Sequence, residues 1–417
     1  MHKLTFTLKQ HTPLIHFQHD QHGATLRATE LKPKLDRFLI SLENLTELAN
    51  EQEVPKEEYK SYFINNGKTH LALDYKVRIV DTIEKDGYPF DIPEGYPLFF
   101  GNMDQHGRDR KFLTFSTDLT IEVFSFKTEL LDCVDNHIHK FFLYHNFGSR
   151  QSKGFGSFSL DMVPQVNDFD LSFYLNLDDK NDYILTKSIK NSRVNNEIRN
   201  FTRLFAQIDI FYKSLRSGIN RKGGDDKSKF YIKPVIFHYA KDRLRKQWDK
   251  KSIKERYLTE EEYPELSINE QIEKHDYSDV LTYSSNEEPH LLLKDLFGLS
   301  TVENWKKYDA IVTKTNAEAL RFASPLLIKP IQMSENQYFV GLKFKDIDNG
   351  FFDKTFEVEF GQQTGLELKT PESFSWNDFI TYMKNDLPSL RSRCKSSEKL
   401  TSQPEYWILK NIYEQIS

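Results

Sequence analysis

The sequence predicts an α+β protein of two domains with helical insertions, a ferredoxin-like (RRM-like, βαββαβ) first domain and a second α+β unit open to being a distant copy of the same ferredoxin-like fold, and three observations predict it. The chain has 417 residues, more than one hydrophobic core usually serves, so two domains are the first expectation. Its 38% hydrophobic share includes 33 Phe and 20 Tyr, and rings of that size bury enough area to set the chain apart from a disordered one. Over residues 1–165 the hydrophobic pattern reads strand, helix, strand, strand, helix, strand, the split βαβ order that RNA-recognition domains also use.

The first unit follows in order. KLTFTLK at 3–9 alternates with period 2, as a half-buried strand does, and an irregular His- and Gln-rich turn runs from His11 to Gly23. In LRATELKPKLDRFLI the residues Leu31, Leu35, Phe38 and Leu39 share one helical face, and Pro33 is acceptable only in the first turn. Leu71, Leu73, Tyr75, Val77 and Ile79 alternate over a long strand at 70–81, with its partner expected at 111–126 across a turn-rich segment. A helix from Glu129 to Tyr144 presents Leu130, Leu131, Val134, Ile138, Phe141 and Phe142 to a core, and GFGSFSLDM closes the unit as a strand.

The second domain is expected over 166–417. Ile198, Phe201, Phe205, Ile208 and Phe211 or Tyr212 form the apolar stripe of a helix that ends at Gly218. FYIKPVIFHY then reads as a strand, 241–256 as a charged helix and 257–290 as an insertion. The strands RFASPLLIKPIQ and YFVGLKFK and a helix at 375–385 complete a second α+β unit.

Charge and cysteine content narrow the function. The net charge is -5, which argues at first against a polyanionic partner. The average hides segregation: residues 241–256 hold eight Lys/Arg against three acids, and 260–276 hold seven acids and one lysine. A local basic face and a plain solvated helix are both open readings of that run. Cys133 and Cys394 are the two cysteines, without ligand spacing around either, so no disulfide scaffold, metal site or cofactor is expected. No apolar stretch is long enough to span a membrane, and a cytoplasmic protein is the expectation.

The most distinctive segment is NFGSRQSKGFGSFSL at 146–160, between a helix and a strand. Gly148, Gly154 and Gly156 alternate with Ser149, Arg150, Ser152, Lys153 and Ser157. Glycines let successive backbone N–H groups converge on an anion, and Arg and Lys add charge-assisted contacts to phosphate. A turn that binds nothing is the competing reading. The spacing matches neither a P-loop nor a dinucleotide fingerprint.

FGSRQSKGFGSF resembles the glycine-rich loop of the RAMP superfamily of CRISPR-associated proteins. HTPLIHFQHD followed by LRATELKPKLDRFL is similar to the opening of the double-RAMP subunit of the type III-B Cmr complex, through Thr12-Pro13-Leu14, Arg27, Ala28-Thr29 and Arg37-Phe38. A second anchor, DLFGLST and then LRFASPLLIKPIQ, is similar to that family's Leu-Phe-Gly segment and Arg-x-Ala-Ser-Pro strand. The chain departs from the family pattern at His16 to His22, at Lys32-Pro33 and over 257–290. The resemblance implies a non-catalytic, RNA-binding subunit of a crRNA-guided antiviral effector complex, near the crRNA 3' end, with crRNA, target RNA and other RAMP subunits as partners. Carried over by position, Arg150, Lys153, Gly154 and Gly156 would hold phosphates, with Gly148 in the same loop and Arg27 and Lys34 nearby, while Arg321 and Ser324 are either on the second domain's equivalent surface or structural.

The alternative is a metal-independent endoribonuclease that processes precursor crRNA, for which His11, His16, His19 and His22 are the candidates because histidine titrates in the right range. His137 and His139, two apart on a helix, face different ways. Asp20, Asp104 and Asp109 are candidate target-cutting aspartates, while Asp74 and Asp132 read as solvent-facing. Trp248 and Trp305 stand in basic settings, where a ring either stacks on a base or caps a hydrophobic patch.

Overall fold

The computed structural model describes residues 1–15, 26–80, 88–89, 111–112, 118–160, 164–177, 196–221, 230–246, 249–258, 291–305, 309–316, 322–394, 401 and 403–416. In chain order the main elements begin with β1 (His2–Gln10), α1 (Ala28–Leu42), β2 (Lys76–Val80), β3 (Leu119–Ser125), α2 (Thr128–Leu143), β4 (Phe158–Leu160) and β5 (Leu171–Asn176). Then come α3 (Asn196–Arg216), α4 (Asp249–Tyr257), β6 (Val302–Trp305) and β7 (Ala310–Thr315). The chain closes with β8 (Leu326–Ser334), β9 (Gln337–Phe344), β10 (Thr355–Phe360), β11 (Gln363–Lys369), α5 (Trp376–Asn385) and α6 (Pro404–Ile416). Two compact units result, one of residues 1–206 with 327–343 and one of 207–326 with 344–417.

The first unit is built on the antiparallel sheet β2-β3-β1-β4. Alternation places Leu119, Ile121 and Val123 of β3 on its buried face. The six apolar residues expected of α2 are its six buried ones, and Leu31, Leu35 and Leu39 of α1 are fully buried with them in one core. Pro33 lies inside α1, past the first turn, so the helix gives up one backbone hydrogen bond there; burial of the leucines around it offsets that loss. Lys32 secures the same stretch, its Nζ 2.6 Å from Asp36 Oδ2 and 2.9 Å from the Leu73 carbonyl. A second antiparallel sheet in this unit has the order β8-β9-β5. The residues from 166 onward thus return to the first unit through β5, whose Leu171 is paired with Leu342.

The second unit holds the antiparallel sheet β6-β7-β10-β11, in sequential order among the described residues. This differs from the split βαβ order expected of the second half, because β8 and β9 pair in the other sheet and β10 lies directly beside β7; a tight turn at Gly361, with φ 62°, then joins β10 to β11. FYIKPVIFHY is also different from the expected single strand: Phe230–Ile232 is a strand, and Pro234 then caps a helical turn over Val235–Tyr239. Proline's fixed φ suits that position and stops the strand. No helix among the described residues is long and apolar enough to cross a membrane.

Candidate nucleic-acid interface

The glycine loop begins where α2 ends. Asn146 and Ser157 form an isolated β-bridge, and the Phe147 N–H donates to the Gly156 carbonyl at 2.9 Å, closing the loop at its base. Inside it, Gln151–Lys153 makes one 3-10 turn between two left-handed residues, Arg150 (φ 61°) and Gly154 (φ 92°). Two of the glycines are required by space. A Cβ on Gly156 would stand 2.0 Å from the Phe147 carbonyl oxygen and one on Gly148 2.4 Å from that of Ile15, both at positive φ.

The loop's amides point into the protein. Gly148 N–H donates to Glu30 Oε1 at 2.8 Å. Ser149 N–H donates to the Ile15 carbonyl at 2.6 Å and Gly156 N–H to that of Pro13 at 2.8 Å. Thr12 Oγ1 donates to the Gly154 carbonyl at 2.7 Å and accepts the Ser157 N–H at 2.9 Å. Gly154 N–H donates to the Gln151 carbonyl at 3.3 Å. The glycine amides expected to converge on a phosphate are therefore already donated to protein acceptors. The segment from Thr12 to Ile15 runs alongside the loop and takes the amides of Ser149, Gly156 and Ser157.

Two of the expected cations are turned inward as well. Lys34 Nζ donates to Glu30 Oε1 at 2.7 Å, to Gln151 Oε1 at 2.8 Å and to the Asn146 carbonyl at 3.1 Å. Three acceptors use all three of its N–H groups, so it clamps the loop to α1 and has no donor left for RNA. Lys153 is buried, at 9% exposure, with its ammonium shut off from solvent. Its neighbour Phe155 is fully buried and stacks on Phe205, with centroids 3.8 Å apart and planes at 5°. What the loop leaves at the surface is Gln151, exposed, with Ser149, Arg150 and Ser152 half-buried. Arg27 is half-buried at the N-cap of α1, where its carbonyl accepts the Glu30 and Leu31 N–H groups. Arg321 lies outside the described residues. Ser324 sits beside Gly298 of the Leu-Phe-Gly segment.

The strand of the C-terminal anchor reaches the same loop. Asn146 Nδ2 donates to the Ile328 carbonyl at 2.8 Å, and Ser157 Oγ donates to that of Pro330 at 2.6 Å. Between these, Lys329 is fully buried and gives its ammonium to the carbonyls of His145, at 3.0 Å, and Phe158, at 2.7 Å. Burial holds its pKa well below the usual lysine range. His11 is buried too, at 3% exposure, not in an exposed loop. Its Nδ1 accepts the Gln332 N–H at 3.2 Å, which leaves Nε2 to donate to Ser159 Oγ at 2.7 Å. Burial first, then the charges of Lys329 and Lys9, push its pKa down to about 3. A neutral ring sealed in this way fastens β1's end to β4 and β8 and has no access to a 2'-hydroxyl.

The other chemical candidates are dispersed. His16, His19, His22, Asp20, Asp104, Asp109 and Trp248 lie outside the described residues. His137 Nε2 is paired with Glu43, and Asp74 is ion-paired with Lys127 at 2.6 Å on the surface. Trp305 packs against the second unit's core beside Phe360. Among the described residues no group of His, Cys, Asp and Glu is placed to hold a metal ion.

A buried ionic network in the second unit escaped sequence reasoning. Lys314 Nζ lies 2.5 Å from Asp295 Oδ2 and 2.8 Å from Glu303 Oε1. Lys294 also pairs with Glu303, and Arg216 Nη2 is 3.8 Å from Asp295 Oδ1. Burial pushes the Glu303 carboxyl up, but Lys294 and Lys314 outweigh it and hold the group well below the ordinary range. Asp249, at the start of α4, is raised to about 6 by burial. Part of the basic run 241–256 thus docks on this network. Arg243, further back in the run, pairs at 2.5 Å with Asp386.

Comparison with known proteins adds the family. Residues 1–219 match the model of the Cmr1 N-terminal domain and residues 231–411 that of the Cmr1 C-terminal domain. A solved structure, Cmr1 from Pyrococcus furiosus in its apo form, is similar at 12% identity and a TM-score of 0.35, covering 84% of this chain and 90% of that one. No curated protein matches the chain.

Proposed function

This chain belongs to the Cmr1 family and so to the subunits of the type III-B Cmr complex, and from that premise we propose that it binds RNA there without cutting it. The RNA is crRNA near its 3' end, or the target paired with it. The first unit's strand order supports a ferredoxin-like reading: counted along the chain, its sheet runs fourth, first, third, second, with helices after the first and third strands.

The observation that carries the proposal is the family membership, and Arg150 and Arg27, two expected cations that are half-buried, are the residues we propose for it. Arg150 stands at the outer turn of a loop fixed from behind by Glu30, Lys34, Pro13 and Ile15. Arg27 stands at the N-terminus of α1, where the helix dipole adds positive potential. Guanidinium groups on a rigid base can grip phosphate bidentately at little entropic cost. The glycines serve this by holding the turn in place, with no amide given to the RNA.

Titration of the full chain with crRNA over a salt series tests the assignment. Arg150→Glu and Arg27→Glu are expected to weaken binding alike on unrelated sequences and to flatten the salt dependence by about one phosphate each. Wild-type affinity and slope in both variants would remove the site.

A further inference from the structure

The face of the first unit's sheet opposite its helices carries a separate arrangement. Leu119, Ile121 and Val123 turn inward from β3, so Thr120, Glu122 and Phe124 lie on the other side. Register sets the neighbours. Lys3 of β1 and Lys76 of β2 are the partners of Phe124 on its two sides, and Thr5 and Arg78 are those of Glu122. Directly opposed residues have Cβ atoms about 4.5–5.5 Å apart, so a half-buried ring is flanked by two lysines.

Lys3, Thr5, Thr7, Lys9, Lys76 and Arg78 are exposed. The three strands carry a single carboxylate, Glu122, which accepts from Lys3 Nζ at 2.8 Å. Phe126 follows β3 directly and is 80% exposed. Positions two apart on a strand are about 6.8 Å apart, a spacing that admits successive bases. At the β4 end this side of the sheet is closed, where Ser159 meets His11.

We propose that this face is a second binding surface, for single-stranded nucleic acid, with bases stacked on Phe124 and Phe126 and phosphates held by Lys76, Arg78 and Lys3. Rings among cations are what a sequence-tolerant single-strand platform needs, since every base has a face to stack and every nucleotide a phosphate to neutralise. A protein partner fits less well, because the centres of protein interfaces are depleted in lysine. The surface is independent of the Arg150 site.

Anisotropy titration of the full chain with a labelled oligouridylate of about ten nucleotides tests it. Phe124→Ala and Phe126→Ala should each weaken binding about tenfold, with Phe126→Tyr close to wild type. Lys76→Glu with Arg78→Glu should lower the salt slope by about 1.4 for two phosphates on a single strand. Because Phe126 and Arg78 are exposed, their variants keep the test clear of misfolding. Unchanged oligonucleotide affinity in Phe126→Ala and in the Lys76→Glu, Arg78→Glu pair would overturn the proposal, including the case in which the same variants lose only a neighbouring protein subunit. If Arg150→Glu is silent while these variants lose affinity, the loop site fails and this surface stands; the reverse result separates them the other way.

Discussion

Acid should loosen the first unit at His11 before it reaches most carboxylates. The imidazole takes its proton at about pH 6.5 in an unfolded chain, but only at about 3 in the folded one, because it is buried and faces Lys329 and Lys9. Between those values the unfolded chain binds a proton that the folded chain refuses, so stability falls as pH drops. The slope is about 1.4 kcal/mol per pH unit. Relative to high pH the loss reaches about 2.7 kcal/mol at pH 4.5, and well above pH 6.5 this group adds no pH dependence. His11→Gln keeps an amide that can hydrogen-bond and cannot titrate, so it isolates the effect from every other acid-sensitive group. Hydrogen exchange in peptides spanning 2–15 and 157–160, corrected for intrinsic rates, reads the local stability. The variant should be the less stable protein at pH 7, and the gap should narrow by about 2 to 3 kcal/mol by pH 4.5. Parallel pH profiles for wild type and variant would refute the reasoning and place a protonated ring at this position.

Three further outcomes follow from the same geometry. Gly156→Ala puts a Cβ 2.0 Å from the Phe147 carbonyl oxygen at φ 65°, and a stability loss of about 2 kcal/mol or more is expected in thermal unfolding. Lys34→Met removes three hydrogen bonds from the back of the loop; exchange of the Gly148 and Ser149 amides should speed up several-fold while β3 stays protected. Lys314→Met leaves Asp295 and Glu303 buried with less compensation, so urea unfolding of the second unit should move by about 3 to 5 kcal/mol. Lys314→Met with Glu303→Gln should recover part of that loss.

Most of the first unit's elements were legible because each is specified locally. The stripe Leu130, Leu131, Val134, Ile138, Phe141 and Phe142 needs only its own period to be read, and the structure buries all six. The return of β5 to pair with β9 was not legible, since Leu171 and Leu342 are apposed by the fold and by no local pattern. The ionic network was hidden for the same reason. Lys314 sits in a strand as a lone charge, and only the approach of Asp295 and Glu303 explains its burial.

The glycine loop shows how one composition supports two opposite structures. Glycines and small polar residues free backbone amides from steric cover, and the freed amides can receive a ligand or be received by the protein. Which of these happens depends on what runs beside the loop. Here Thr12, Pro13 and Ile15 supply the acceptors and Glu30 supplies a fourth, so the segments that the sequence offers as separate anchors are one packing unit in space. Ile328 and Pro330 close it from the C-terminal anchor. Motif resemblance at these positions therefore reports the scaffold, and the RNA contact proposed above is a separate question, carried by the side chains of Arg150 and Arg27 and, on the sheet, of Phe124 and its flanking cations.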